Sequence, residues 1–251
     1  MQISDTKAVI TGAASGLGEA TARHFASLGA QVTLLDRDTE RGNQVAEEIN
    51  GTFVETDVTD EESVKAAIAT ATSTMGGINA VVNCAGIAPA AKTVGRDGTH
   101  PIGLFQKTID INLVGSFNVA RLAAEAMTEN TPEADGARGV IINTASIAAM
   151  DGQKGQAAYA ASKGGIVGLS LPMARDLARS GIRVMAIAPG IFKTPMLIGL
   201  GQEIMDGLAK DVTCPPRLGE PTEYARLAAF IVECGYLNGE VIRLDGALRM
   251  Q

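Results

Sequence analysis

KAVITGAASGLGEATARHFASLGAQVTLLD fills positions 7–36, and its order decides the fold. An apolar run at 7–12 reads as a strand and ends in glycines Gly12, Gly16 and Gly18. A helix pattern follows over about 16–28, then a second apolar run, QVTLLD, closes on Asp36. Strand, glycine loop, helix, strand and acid form one unit with a physical meaning. Gly12 permits a tight turn, Gly16 lets main chain approach a pyrophosphate, and Gly18 lets the helix pack close to the strand. The helix start carries free N–H groups and the positive end of the dipole, which suits phosphate. Ser15 and Leu17 lie inside the same loop, TGAASGLG at 11–18. The spacing is G-x-x-x-G-x-G rather than G-x-G-x-x-G.

Asp36 is placed to accept hydrogen bonds from an adenosine ribose, and its charge repels a 2′-phosphate. Ala13 and Ala14 offer no cation to such a phosphate, although Arg37 follows Asp36. NAD is therefore the expected cofactor, with NADP kept open by Arg37.

Working outward, apolar runs at 52–57, 80–86, 139–146, 182–190 and 240–246 alternate with helical patterns at about 39–49, 61–76, 106–129, 156–179, 200–210 and 222–234. Asp60 reads as an N-cap. The runs are continuously apolar, as in parallel strands covered on both faces. The expectation is α/β: a single Rossmann-like, doubly wound domain over 1–251, with a seven-stranded, mostly parallel sheet. Three segments break the rhythm, at 87–106, 128–138 and 194–221. The last follows the sixth strand at the ligand-binding edge of such sheets and is read as a substrate loop.

Composition excludes several alternatives. The chain has 251 residues, 46% of them hydrophobic but only 4% aromatic, so the core is aliphatic. The net charge of −7 argues against nucleic acid, whose binding proteins present basic patches. No apolar run is long enough for a membrane span. No signal or transit segment is recognised, so a cytoplasmic location is expected. Cys84, Cys214 and Cys234 are widely spaced and His24 and His100 stand apart, so neither a disulfide framework nor a metal is expected. Cys84 reads as a small buried apolar residue, and His24 as lying on the outer side of the first helix.

Tyr159 and Lys163 form Y-x-x-x-K within a helical pattern, with Ser146 upstream. Positions i and i+4 share a helix face. An ammonium there favours phenolate, making the tyrosine a usable general base or acid. A serine hydroxyl beside it can bond a carbonyl or alcohol oxygen.

Beyond these residues come Asp57-Val58, Asn83-Cys84-Ala85-Gly86, Asn112 in DINL and Pro189-Gly190. In that order the chain resembles the short-chain dehydrogenase/reductase family over almost its whole length. The resemblance implies that Asp57 and Val58 border the adenine, and that Asn83, Ala85 and Gly86 line the adenosine and ribose side. It implies that Asn112 holds a helix bulge and a water of the proton relay. Ser146 would orient the substrate oxygen, Tyr159 exchange the proton, and Lys163 lower the tyrosine pKa and bind the nicotinamide ribose. Pro189, Gly190 and Ile191 would wall the nicotinamide, with Thr194 near its carboxamide. Cys84 departs from the usual Asn or Ala, with little consequence expected.

The stretches at 143–178 and 187–195, and the one starting at Asn238, resemble a narrower group within that family, the type-2 3-hydroxyacyl-CoA dehydrogenases. Pro172, inside the helix of Lys163 and expected to kink it, is part of that likeness. The implied reaction is reversible NAD-dependent oxidation of short or 2-methyl-branched (S)-3-hydroxyacyl-CoA to 3-oxoacyl-CoA. Gln153 and Gln156 would face the substrate, and Lys92, Arg96, His100 and Lys107 could meet coenzyme A phosphates. Alternatives are a 3-oxoacyl-carrier-protein reductase, a hydroxysteroid or other secondary alcohol dehydrogenase, and a non-catalytic dinucleotide sensor or scaffold. The likeness also implies a homotetramer, paired through the helices of Asn112 and Lys163 and the C-terminal strand; Ala120, Ala123, Ala124, Ala160 and Ala161 would permit close approach there or serve packing within the chain.

Overall fold

A computed structural model describes residues 1–96, 98–198 and 201–250. Positions 199 and 200 of the expected 194–221 loop lie outside them. Strands β1 Lys7–Thr11, β2 Gln31–Asp36, β3 Thr52–Glu55, β4 Ala80–Asn83, β5 Gly139–Thr144, β6 Ile182–Pro189 and β7 Val241–Leu244 form one parallel sheet. Its order is β3-β2-β1-β4-β5-β6-β7. The order reverses between β1 and β4, where doubly wound sheets open a crevice beyond the carboxyl ends. Register aligns those ends: Thr11 pairs with Leu35 and Asn83, Asn83 with Asn143, and Thr144 with Ile187.

The continuous apolar strands have a direct cause. Ile10, Leu34, Val82 and Ile142 face one layer with Phe25 and Tyr224. Val9, Leu35, Val81 and Ile141 face the other with Val119 and Met127. Helices α1 Gly16–Ser27, α2 Thr39–Ile49 and α9 Pro221–Glu233 frame the first layer, and α3 Glu61–Met75, α5 Ser116–Thr128 and α6 Ala157–Asp176 the second. Each fully buried aliphatic side chain contributes about 1.5–3 kcal/mol.

Asp60 caps α3, accepting from the N–H groups of Glu62 and Ser63. The helix expected over 106–129 starts earlier. It runs as α4 Ile102–Ile109, a π-helical turn Asp110–Gly115, and α5. The turn packs tightly, since a Cβ on Gly115 would stand 2.6 Å from Val58 Cγ2. Pro172 lies inside α6, which continues past it. Both Pro172 and Gly168, whose carbonyl loses its partner, are exposed, so water can replace the bond.

The breaks in the rhythm are structured. Within 87–106, Val94–Gly95 pairs antiparallel with Gly98–Thr99. The later segment carries short helices α7 Pro195–Ile198 and α8 Gln202–Lys210, and its ends are tied together. Lys193 N donates to Gly219 O at 2.9 Å and Gly219 N to Ile191 O at 2.9 Å.

One open reading is decided and one expectation is corrected. Ala120, Ala123 and Ala124 are buried in their own chain and cannot face a partner, because α5 turns that side onto the sheet. The exposed apolar residues of this region are Val114, Phe117 and Leu171. His24 is half-buried rather than on an outer face, and burial first, then Arg226 of α9, pushes its imidazole below the ordinary value.

Candidate active site

The glycine loop is a cradle with no room for a side chain at Gly12 or Gly18. Gly12 has φ +63°, and a Cβ there would lie 2.8 Å from Ala85 N. A Cβ on Gly18 would lie 2.2 Å from Gly12 O. Ser15 stands at the N-cap of α1 in extended conformation and makes no side-chain cap bond. The first-turn amides have no intrahelical acceptor, so this loop offers a free anion cradle. Asp36 stiffens it from behind: Oδ2 accepts from Ala14 N at 3.0 Å, and Oδ1 from Arg37 N at 2.7 Å. The Arg37 side chain reaches Asp57 Oδ2 at 3.7 Å but is 71% exposed, so the pair is weak. The Thr59 hydroxyl, 2.7 Å from Asp57 Oδ1, is the main cause holding the Asp57 carboxyl below its ordinary value.

Beyond β4 the wall is again main chain. Thr11 Oγ1 accepts from Cys84 N and Ala85 N, each at 3.1 Å. A Cβ on Gly86 would stand 3.1 Å from Asn112 Oδ1 and 3.7 Å from Lys163 Nζ. Asn112 is buried in the π-helical turn. Its Oδ1 accepts from Ile87 N at 2.8 Å, and its Nδ2 donates to Ile87 O at 2.9 Å and to Ser162 Oγ at 3.0 Å. It therefore staples the strand-four loop to α6.

Ser146 lies two residues beyond β5 as the N-cap of a 3-10 turn, and its Oγ accepts from Ala148 N at 3.1 Å, which leaves its own proton for another acceptor. Tyr159 and Lys163 project from one face of α6. Lys163 Nζ lies 5.8 Å from the centre of the Tyr159 ring and donates to Thr144 O at 2.7 Å. Burial raises the Tyr159 phenol above its ordinary value, opposed only by the Ser146 hydroxyl. Burial also pushes the Lys163 ammonium down to about 8. In the free protein desolvation penalises both charged forms.

Cys84 packs against the core as the small apolar residue expected. It borders the cleft, and its Sγ accepts from Thr144 Oγ1 at 3.5 Å and lies 3.7 Å from the Tyr224 hydroxyl. That hydroxyl shares a 2.7 Å hydrogen bond with Thr144 Oγ1. Burial pushes the Cys84 thiol up.

These groups line one cleft of about 460 Å³. Around it stand Gly12, Ser15, Gly16, Leu17, Gly18, Asp36, Asp57, Val58, Ala85, Gly86, Ser146, Tyr159, Lys163, Pro189, Gly190 and Thr194. Asn83, Asn112, Ile191, Gln153 and Gln156 do not line it. Asn83 is buried behind the wall, with Nδ2 donating to Asn143 Oδ1 at 2.9 Å. Ile191 packs on Ile147, Val212 and Leu248. Gln156 precedes α6, and its Oε1 is buried with no hydrogen-bond partner. Lys92, Arg96 and Lys107 are exposed. Thr144, Phe192 and Tyr224 were not singled out from sequence. Thr144 acts through its carbonyl and Tyr224 through a distant helix, so no local pattern marks them. Among the described residues, no cluster of His, Cys, Asp or Glu suits a metal.

The cradle, the acid on β2 and the Ser–Tyr–Lys group at one sheet edge define an oxidoreductase that acts on CH–OH with a nicotinamide dinucleotide. Residues 6–205 match the family model for short chain dehydrogenases, and the chain belongs to that family. It is 54% identical over 97% of its length, and 95% of the relative, to 3-hydroxyacyl-CoA dehydrogenase type-2 of Homo sapiens. The Drosophila melanogaster protein of the same name is 52% identical over 99% of both chains. A crystal structure of 3-hydroxyacyl-CoA dehydrogenase type-2 from Mycobacterium avium superposes with TM-score 0.94 at 45% identity, covering 97% of this chain and 96% of that one.

Proposed function

We propose that this protein catalyses the reversible, NAD-dependent oxidation of short or 2-methyl-branched (S)-3-hydroxyacyl-CoA to 3-oxoacyl-CoA. The observation that carries the reaction type is the placing of Ser146, Tyr159 and Lys163 in the same cleft as the glycine cradle and Asp36. The thioester reading rests on the relatives' names at 52–54% identity. Asp36, presenting a carboxylate where a 2′-phosphate would sit, supports NAD over NADP.

Bound in the cleft, the nicotinamide ring supplies the hydride acceptor. Gly16, Leu17 and Gly18 would present their amides to the pyrophosphate. Ser146 Oγ, already accepting from Ala148 N, donates its proton to the substrate oxygen. Tyr159 takes the hydroxyl proton as C3 gives up hydride. Tyr159 becomes phenolate when positive charge fills the cleft beside it, which offsets its burial. Lys163 spends one of its three donors on Thr144 O. Its other two are free for ribose hydroxyls. Asn112 would serve the proton relay by holding the π-helical turn against α6. The exposed Lys92 and Arg96 are suited to coenzyme A phosphates. Exposed Val114, Phe117, Leu171, Phe230 and Tyr236 would be the faces of a homotetramer.

The test is NADH consumption with acetoacetyl-CoA, 2-methylacetoacetyl-CoA, acetoacetyl-carrier protein and a ketosteroid, each repeated with NADPH. Turnover of the two CoA thioesters with NADH is expected. Preference for the carrier-protein thioester with NADPH, or for the steroid alone, would overturn the reading.

A further inference from the structure

The segment from Ser146 to Tyr159 carries both oxygen-binding groups at its ends and the two glutamines between them. Its 3-10 turn, Ile147–Ala149, and its inner bonds, such as Asp151 N to Ile147 O at 2.8 Å, only close it on itself. Besides the turns of its own helix and the Met250 main chain, which also bonds Asp151, two polar contacts among the described residues tie it to distant elements. Ala91 N donates to Gly155 O at 2.8 Å, from the loop after β4. Arg243 Nη2 donates to Asp151 Oδ2 at 2.6 Å, from β7. Arg243 is not a stray surface cation. Its Nε bonds Asp245 Oδ2 at 2.7 Å and its Nη2 also reaches Leu248 O at 3.1 Å. The side chains are sheltered, with relative exposures of 23% for Arg243, 16% for Asp151 and 8% for Asp245. A partly buried, multiply bonded guanidinium holds geometry better than an exposed pair.

Arg243 thus joins the substrate segment to the chain end, and the chain end touches the other walls. Gly190 packs on Asp245 so closely that a Cβ would stand 2.9 Å from Asp245 Cα. Cys214 N, from the 194–221 segment, donates to Gly246 O at 3.0 Å. We infer that Asp151 and Arg243 are positioning residues: their ion pair locks the Ser146–Tyr159 segment to the C-terminal strand and so sets the substrate half of the cleft. The inference rests on the reaction proposed above, but the lock itself is a matter of geometry.

Two measurements test it. In the first, Asp151→Asn, Asp151→Glu and Arg243→Gln are assayed with acetoacetyl-CoA beside the unaltered protein. Asp151→Asn and Arg243→Gln should raise KM about tenfold or more, with NADH Kd unchanged within twofold. Asp151→Glu should recover part of the loss, and a variant combining Asp151→Asn with Arg243→Gln should be no worse in KM than Arg243→Gln alone. A purely structural pair would lower Tm and leave KM unmoved, and that result overturns the inference. The second measurement needs no substrate. Lys154 is exposed in the segment, and trypsin cleavage after it reports how firmly the segment is held. Cleavage should be at least fivefold faster in Asp151→Asn and Arg243→Gln, and equal rates would sink the lock. Failure of the unaltered protein to turn over any CoA thioester would defeat the proposed function instead, and the cleavage rates would still decide the lock.

Discussion

The cofactor half of the cleft is main chain held from behind, whereas the substrate half is side chains hung on long segments. On the cofactor side, Gly12, Gly16, Gly18, Ala85 and Gly86 offer amides and empty space, and buried groups such as Thr11 and Asn83 fix them. On the substrate side, Ser146 and Tyr159 meet only because β5 and α6 abut, and the connection between them is tethered by Gly155 and Asp151. A main-chain cradle tolerates almost no added atom. A side-chain site tolerates changes in its outer members and depends steeply on its reacting groups.

The largest effect expected separates binding from chemistry. Tyr159→Phe should lower kcat by about 10²–10⁴-fold, the usual worth of a positioned acid or base. NADH affinity should stay within about twofold, because the ring is retained. Stopped-flow turnover and fluorescence titration on the same sample would check this, and a parallel loss of NADH binding would erase the division between the halves.

Next comes Lys163, the link between them. Its folded value of about 8 lies below the unfolded 10.5. Between those values the unfolded chain binds more protons, so stability should rise with pH. Below about pH 8 the burial penalty is present in full. Relative to Lys163→Met, the cofactor-free protein should gain on the order of 3 kcal/mol from pH 8 to 10.5 in urea unfolding. Taking the difference removes the opposing contributions of buried Tyr159 and Tyr224, whose phenols are raised. A flat difference would place Lys163 in water rather than in the wall.

Asp36→Ala with Arg37 retained should cost roughly 1.5–3 kcal/mol of NADH affinity, the range for a charged hydrogen bond. Preference over NADPH should relax at the same time. Competitive titration of the two cofactors reads both, and unchanged NADH affinity would remove Asp36 from the cofactor half.

The smallest effect concerns the floor shared by both halves. Tyr224→Phe removes one buried hydroxyl from Thr144 and Cys84 and should cost about 1 kcal/mol of stability. NADH binding should be untouched. A larger fall in kcat than in stability would make the Tyr224–Thr144 contact part of the catalytic arrangement.

Legibility followed the same division. The glycine loop, Asp36 and the strand alternation are local, so spacing alone revealed them, and all seven strands fall within a few residues of where the pattern puts them. Ser146, Tyr159 and Lys163 were legible as a motif, but their place beside the glycine loop came from the family resemblance, because nothing local says that β5 ends beside α6. Ala120, Ala123 and Ala124 were left open between a partner and the chain's own packing, since a small-residue stripe suits a sheet as well as a partner, and they are buried on the sheet. Asp151, Arg243 and Tyr224 were passed over entirely. Their partners lie 80–92 positions away in the chain, and no periodicity carries that information.

By itself the sequence determined the layered α/β architecture, the phosphate cradle and the acid beside it, because each depends on short-range periodicity and on which residues lack a side chain. Tertiary structure alone decided the burial of the Tyr159–Lys163 pair, the place of Cys84 in the wall and the tie between Asp151 and Arg243. Those are properties of burial and of distance across the fold, and they exist only once segments far apart in the chain have been brought together.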